Sequence, residues 1–221
     1  MPSLDTPDSN IFWYALTQNN GEPSKKSSEY FDHVKEGKGA LLESVEEEID
    51  SFIHKRMPYI QNFLIINQKI GGKSIEKALE DLKSGKGLDE KEKIVLENSN
   101  IVKYIYAKVG QDTDFTIGIQ DLVRKDMNGL FGLFQNRIAS LEKYSDKVQK
   151  EIEELNDLGL KNKSDALHMI NFFDYLLNRN YDGIFITYDK TDFSFSDKLQ
   201  SKLWKIKIQT AKEFLDSLGP S

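Results

Sequence analysis

Gly183–Tyr188 (GIFITY) constrains the fold of this chain more than any other stretch. It is a short apolar run of β-branched and aromatic residues, and it reads as a buried strand. A helical pattern beginning at Ser164-Asp165 precedes it, and a loop carrying Asp189 and Asp192 follows it. Helix, turn and strand in that order build a parallel sheet, whose functional sites form at the C-terminal ends of its strands. Carboxylates gathered at such an edge repel and raise one another's pKa. A divalent cation relieves that repulsion.

The rest of the chain alternates in the same way. At the N-terminus, Asp8 or Ser9 caps an apolar helix from Ile11. Gly21–Gly39 is polar and turn-like, with a break at Pro23 and a short helix over 28–35. Its lysines, Lys25, Lys26, Lys35 and Lys38, form either a solvated face or a phosphate contact. Ala40–Val45 reads as a short strand entering a helix over Glu46–Ile53, with Ser44 as its cap and Glu46, Glu47 and Glu48 favourable in its first turn. Beyond it the pattern is mostly helical, with a break at Pro58 and helices over 60–69, 74–82 and from Asp89 to about Val109. A long helix is expected over 119–158. Its apolar residues Met127, Phe131, Phe134, Ile138, Leu141, Val148, Ile152 and Leu155 fall at heptad spacing, a seam needing a partner in this chain or a second copy. After the acidic loop come a short helix over 197–202, a strand over 203–208 and a final helix capped by Thr210.

Several of these segments together resemble the PIN-domain family of metal-dependent nucleases. The carriers are Asp8-Ser9-Asn10 before an apolar helix, Ser44-Val45-Glu46-Glu47-Glu48-Ile49, Asp165-Ala166-Leu167-His168, and Thr187-Tyr188-Asp189-Lys190-Thr191-Asp192-Phe193. Thr210–Leu215 also resembles that family's closing helix. The resemblance covers both ends of the chain and leaves its middle uncovered. It implies a three-layer α/β/α domain with a central, mostly parallel sheet spanning 1–221, with a helical insertion over about 70–150. It implies that Asp8, Glu48, Asp165, Asp189 and Asp192 are the catalytic and metal-binding residues, supported by Asn10 and Thr187. Asp5 is a rival for Asp8, and Glu47 for Glu48. Oxygen ligands of this kind suit Mg²⁺ or Mn²⁺.

The implied activity is endoribonuclease hydrolysis of single-stranded or structured RNA, assisted by metal. The toxin of a toxin–antitoxin pair is one role open to such a chain, and brings an inhibitory protein partner. A symmetric homodimer is the default expectation. Two alternatives stay open: a non-catalytic interaction module using the helical insertion, and a nuclease acting on DNA. His168 reads as a packed, hydrogen-bonded residue in preference to a catalytic one.

Composition narrows the field. Cysteine is absent, which removes disulfides, thiol nucleophiles and thiolate zinc sites. The three histidines, at 33, 54 and 168, form no H-x-x-x-H pair. A net charge of −6 argues against a passive, high-affinity nucleic-acid binder, and less against a nuclease whose metal offsets its own carboxylates. No apolar run approaches the roughly 18 residues of a membrane span, so no membrane and a cytoplasmic location are expected.

Overall fold

The computed structural model describes residues 3–18, 21–69, 72, 74–85, 87–110, 118–142, 145–160, 162–189 and 197–219. The chain starts with β1 (Ser3–Pro7), α1 (Ser9–Thr17), α2 (Glu22–Lys35), β2 (Ala40–Leu42), α3 (Glu43–Lys55) and α4 (Met57–Lys69). Helices α5 (Ile75–Ser84), α6 (Glu90–Glu97), α7 (Ser99–Val109) and α8 (Ile119–Phe131) lead to β3 (Asn136–Ile138) and α9 (Asp146–Asp157). The C-terminal part is α10 (Lys163–Arg179), β4 (Asp182–Ile186), α11 (Asp197–Lys202), β5 (Ile206–Gln209) and α12 (Ala211–Ser217).

The architecture is mixed α/β. One sheet has three strands in the order β1-β4-β5, and a second pairs β2 with β3. Every pairing is parallel, which requires crossover connections and explains the abundance of helix. Strand β2 lies alongside β1 without joining its ladder. Pro7 supplies one reason. The Asp8 amide donates to the Ile186 carbonyl at 2.9 Å, so by strand alternation the Pro7 nitrogen faces away from β4, towards β2. There the proline ring removes the donor.

Helix α10 covers β4 closely. A Cβ on Gly183 would lie 2.4 Å from Leu176 Cδ1 and 2.7 Å from the Phe172 ring. Only glycine lets the helix and the strand come this close. On the other side of the core, Phe12 packs against Phe31 and Phe131, with ring centroids 5.0 and 5.2 Å apart.

Several expected elements stand where the pattern put them. These are the strand β4, the helix over 197–202, and the closing helix, where Thr210 and Glu213 form a reciprocal capping box. Others need correction. The segment 21–39 is no turn region: α2 fills it, and Pro23 sits in that helix's first turn, where a missing N–H costs nothing. Helix α3 starts three residues early, at Glu43, so Ser44 lies inside the helix and does not cap it. Asp89 does cap a helix, in a reciprocal box with Glu92, but that helix ends at Glu97 and a second begins at Ser99.

The long helix over 119–158 does not form. Helix α8 stops at Phe131, the chain turns through Gly132, and Asn136–Ile138 becomes a strand paired with β2. The proposed seam residues Met127, Phe131, Phe134, Ile138, Val148, Ile152 and Leu155 are buried in the core of a single chain. They leave no stripe for an intermolecular coiled coil. No helix among the described residues is long and apolar enough to cross a membrane.

Candidate metal centre

The C-terminal ends of the parallel strands bring together residues far apart in sequence. Asp8 follows β1 directly and occupies the N-cap of α1, accepting from the Ser9 amide at 2.7 Å. Its second carboxylate oxygen accepts from Asn10 Nδ2 at 2.7 Å and from Thr187 Oγ1 at 2.8 Å. Asn10 also donates to Thr187 Oγ1 at 2.8 Å. Thr187 follows β4, so this network ties two adjacent strand ends to each other. Asn10 and Thr187 hold the Asp8 carboxylate in place, a role of the kind supporting residues play around a metal ligand.

Glu48 and Ser44 sit one turn apart on α3 and face α10. His168 of α10 bridges them, with Nδ1 2.9 Å from Ser44 Oγ and Nε2 2.9 Å from Glu48 Oε2. Ser164, one turn earlier on α10, donates to the other oxygen of Glu48 at 3.3 Å. Among the described residues, Asp8, Glu48 and His168 form the one group whose ligand atoms all lie within 4.8 Å of one another. The donor set they offer is two carboxylates and an imidazole nitrogen, where oxygen donors alone were expected.

Electrostatics mark the same spot. Burial pushes the Asp8 carboxyl up to about 6; the His168 ring opposes this and the Glu48 charge adds to it. Burial also pushes Glu48 up, but hydrogen bonds and charge from His168, with bonds from Ser9 and Ser164, outweigh it and hold Glu48 below its usual range. Two carboxylates with opposed shifts beside one imidazole mark Asp8, Glu48 and His168 as a candidate site.

The remaining residues named from sequence fall as follows. Asp165 is buried in the first turn of α10, one turn before His168 and outside the compact group. Asp189 is exposed just beyond β4, and its amide donates to Thr187 Oγ1 at 3.0 Å. Asp192 lies outside the described residues. Glu47 lines the cleft beside Glu48 but is not in the group. Asp5 is held elsewhere, accepting from the Tyr30 hydroxyl at 2.8 Å.

Sequence reasoning underweighted His168. It is packed and hydrogen-bonded, as expected, and it also belongs to the group. The signal was its spacing, because three residues after Asp165 puts both on one helix face. Ser44 and Glu48 carry the matching signal on α3, being four residues apart.

Comparison with protein-family models, with curated proteins and with solved structures finds no match.

Glu48 and His168 line a cleft of about 510 Å³ whose walls also include Glu47, Trp13, Phe52, Lys55 and Arg56.

Proposed function

We propose that this chain is a divalent-metal-dependent nuclease of PIN-like, three-layer fold that hydrolyses phosphodiester bonds of RNA. The observation that carries this reading is the meeting of Asp8, Glu48 and His168 within 4.8 Å at the C-terminal edge of parallel strands. Asp8, Glu48 and His168 are the residues to hold the ion. Their chemistry fits one: the buried Asp8 carboxyl is driven towards neutrality by its surroundings, and a cation removes that pressure. The imidazole moves the preference from Mg²⁺ towards Mn²⁺.

A bound Mn²⁺ supplies Lewis acidity at the scissile phosphate. The chain's own residues do the rest. Ser44 fixes the His168 ring through Nδ1, which directs Nε2 at the centre. Asn10 and Thr187 fix Asp8. Glu48, kept ionised, accepts from Ser164 and would hold the ion and orient a water upon it. Asp165 and Asp189, and Asp192 from outside the described residues, keep the role the resemblance implies for them, in contacts through water or to a second ion.

The test is cleavage of a labelled single-stranded RNA, and of DNA of the same sequence, with Mn²⁺. Wild type is compared with Asp8→Asn, Glu48→Gln and Asp165→Asn. Metal-dependent RNA cleavage lost in the first two variants supports the proposal. Cleavage that persists undiminished in both rejects it, and cleavage of DNA alone reassigns the substrate.

A further inference from the structure

A second cleft adjoins the first where α3 gives way to α4. It has a volume of about 580 Å³ and is walled by Tyr59 and by Lys91 at the start of α6. Lys55 and Arg56, the last residue of α3 and the residue that caps it, line both clefts. Neither forms an ion pair among the described residues. In a chain of net charge −6, two adjacent unneutralised cations at a junction of clefts are conspicuous.

Aromatic rings restrain Arg56 and Lys91. The Arg56 guanidinium lies 5.8 Å from the centroid of Phe52, which itself packs on Trp13 at 4.7 Å. The Lys91 ammonium lies 5.8 Å from the centroid of Tyr59. Contacts of this kind restrain long side chains before any ligand arrives. The carboxylate of Asp89, in the wall of the second cleft, is already committed to the capping box of α6. Glu90 and Glu97 line the same cleft beside Lys93, so its wall carries four cations, Lys55, Arg56, Lys91 and Lys93, against two carboxylates not held in the cap.

We infer that a single-stranded nucleic acid leaves the metal centre along this groove, with Lys55 and Arg56 binding the backbone phosphates next to the scissile one and Lys91 a more distant phosphate. This rests on the nuclease reading for the position of the scissile bond, and on the groove alone for the path of the strand. The first cleft, at about 510 Å³, has the size of a pocket for one small ligand, which suits one strand better than a duplex. Arginine planes and aromatic rings beside phosphate-binding cations are also how unpaired strands are held.

The experiment measures anisotropy of a fluorescein-labelled single-stranded oligoribonucleotide in EDTA, where no cleavage occurs, across a salt series. The Lys55→Ala/Arg56→Ala variant is expected to bind at least about tenfold more weakly than wild type at low salt. Its plot of log affinity against log salt is expected to be shallower by about 1.4, or 0.7 for each phosphate contact removed. A self-complementary duplex is expected to bind wild type more weakly than the single strand. Both residues are exposed, and an unchanged melting temperature in EDTA verifies that the variant is folded. Equal affinity and slope in the two proteins overturn the groove, and equal binding of duplex overturns the single-strand assignment. Salt-dependent binding that the variant loses, in a wild type that cleaves nothing with Mn²⁺, sustains the groove and rejects the nuclease. Cleavage by wild type with binding unaltered in the variant does the reverse.

Discussion

His168 Nε2 lies 2.9 Å from Glu48 Oε2 while Nδ1 of the same ring lies 2.9 Å from Ser44 Oγ. One imidazole with no solvent exposure thus ties α10 to a full turn of α3. Its removal strands the buried Ser44 hydroxyl, takes a partner from Glu48 and leaves a void. His168→Ala is expected to cost about 2–4 kcal/mol, read as a lower urea midpoint with an unchanged slope. It is also expected to reduce the Mn²⁺-induced rise in melting temperature. An unfolding free energy within about 0.5 kcal/mol of wild type would show that the ring bridges nothing of consequence.

Asp8 sets a pH dependence whose sign is opposite to that of an ordinary paired carboxylate. Burial pushes it from 3.8 up to about 6, with His168 pulling it down and Glu48 pushing it further up. The native state therefore holds the Asp8 proton more tightly than the unfolded chain does. Stability linked to this group is fullest at acid pH and is lost as pH rises from about 4 through about 6. Glu48 acts in the opposite sense, since its depressed pKa contributes stability that disappears on acidification. In a chelator at neutral pH, Asp8→Asn is expected to exceed wild type in stability by about 1–2 kcal/mol, because the amide removes the buried charge but keeps only part of the hydrogen bonding. Its advantage should vanish below about pH 5, and Mn²⁺ should reverse the order by stabilising wild type alone. Parallel urea midpoints for the two proteins at every pH would contradict a buried, ionised Asp8.

The parts of this fold that were legible in the sequence depend on short-range physics. The capping boxes Asp89–Glu92 and Thr210–Glu213 are each decided within one helical turn. Strand β4 was readable because Phe185 and Ile186 are fully buried in a short run that no helix period explains. The segment 119–158 misled because spacings of three and four through Met127, Phe131, Phe134 and Ile138 satisfy a heptad equally well when the chain turns at Gly132 into a strand. At three residues, β3 is too short to display alternation. The site was legible only in its members. Asp8 and Glu48 stood out as motif positions, but their approach through His168 spans more than a hundred residues and is created by α10 packing on α3. Lys55 and Arg56 carry no sequence signal beyond their charge, since their setting comes from the break between two helices.

Gly183 tests how tightly α10 rests on the sheet. Gly183→Ala places a methyl group 2.4 Å from Leu176 Cδ1 and 2.7 Å from Phe172, both fully buried. Neither side chain has room to retreat, so the helix must lift. The expected cost is about 1–3 kcal/mol, measurable by thermal or urea unfolding. Because α10 carries His168 and Asp165, the lift also displaces the centre, and weaker Mn²⁺ binding should accompany the lost stability. A fully stable Gly183→Ala would mean that α10 sits farther from β4 than these contacts require.

Asp5 and Asp8 are both buried acids of the first strand region, and their surroundings assign them different work. They are three positions apart on extended backbone, Asp5 in β1 and Asp8 just beyond it, so alternation turns them to opposite sides. Asp5 accepts from the Tyr30 hydroxyl at 2.8 Å and lies 3.5 Å from His33 Nε2. Burial raises the Tyr30 hydroxyl well above its usual pKa, and the charge of Asp5 adds to this, so the phenol stays a donor. Gly39, with φ +81, presses close enough that a Cβ there would sit 2.9 Å from Asp5 Oδ2. Asp5 is thus enclosed by its own partners and fastens α2 to the sheet. Tyr30→Phe is expected to cost about 1–3 kcal/mol by leaving a buried carboxylate short of a donor, with the Mn²⁺-induced thermal shift unchanged. Asp5→Asn should likewise keep that shift, and Asp8→Asn should abolish it. The converse pattern, with Mn²⁺ response lost at Asp5 and kept at Asp8, would move the metal centre to the α2 face and leave Glu48 and His168 as a purely structural clasp.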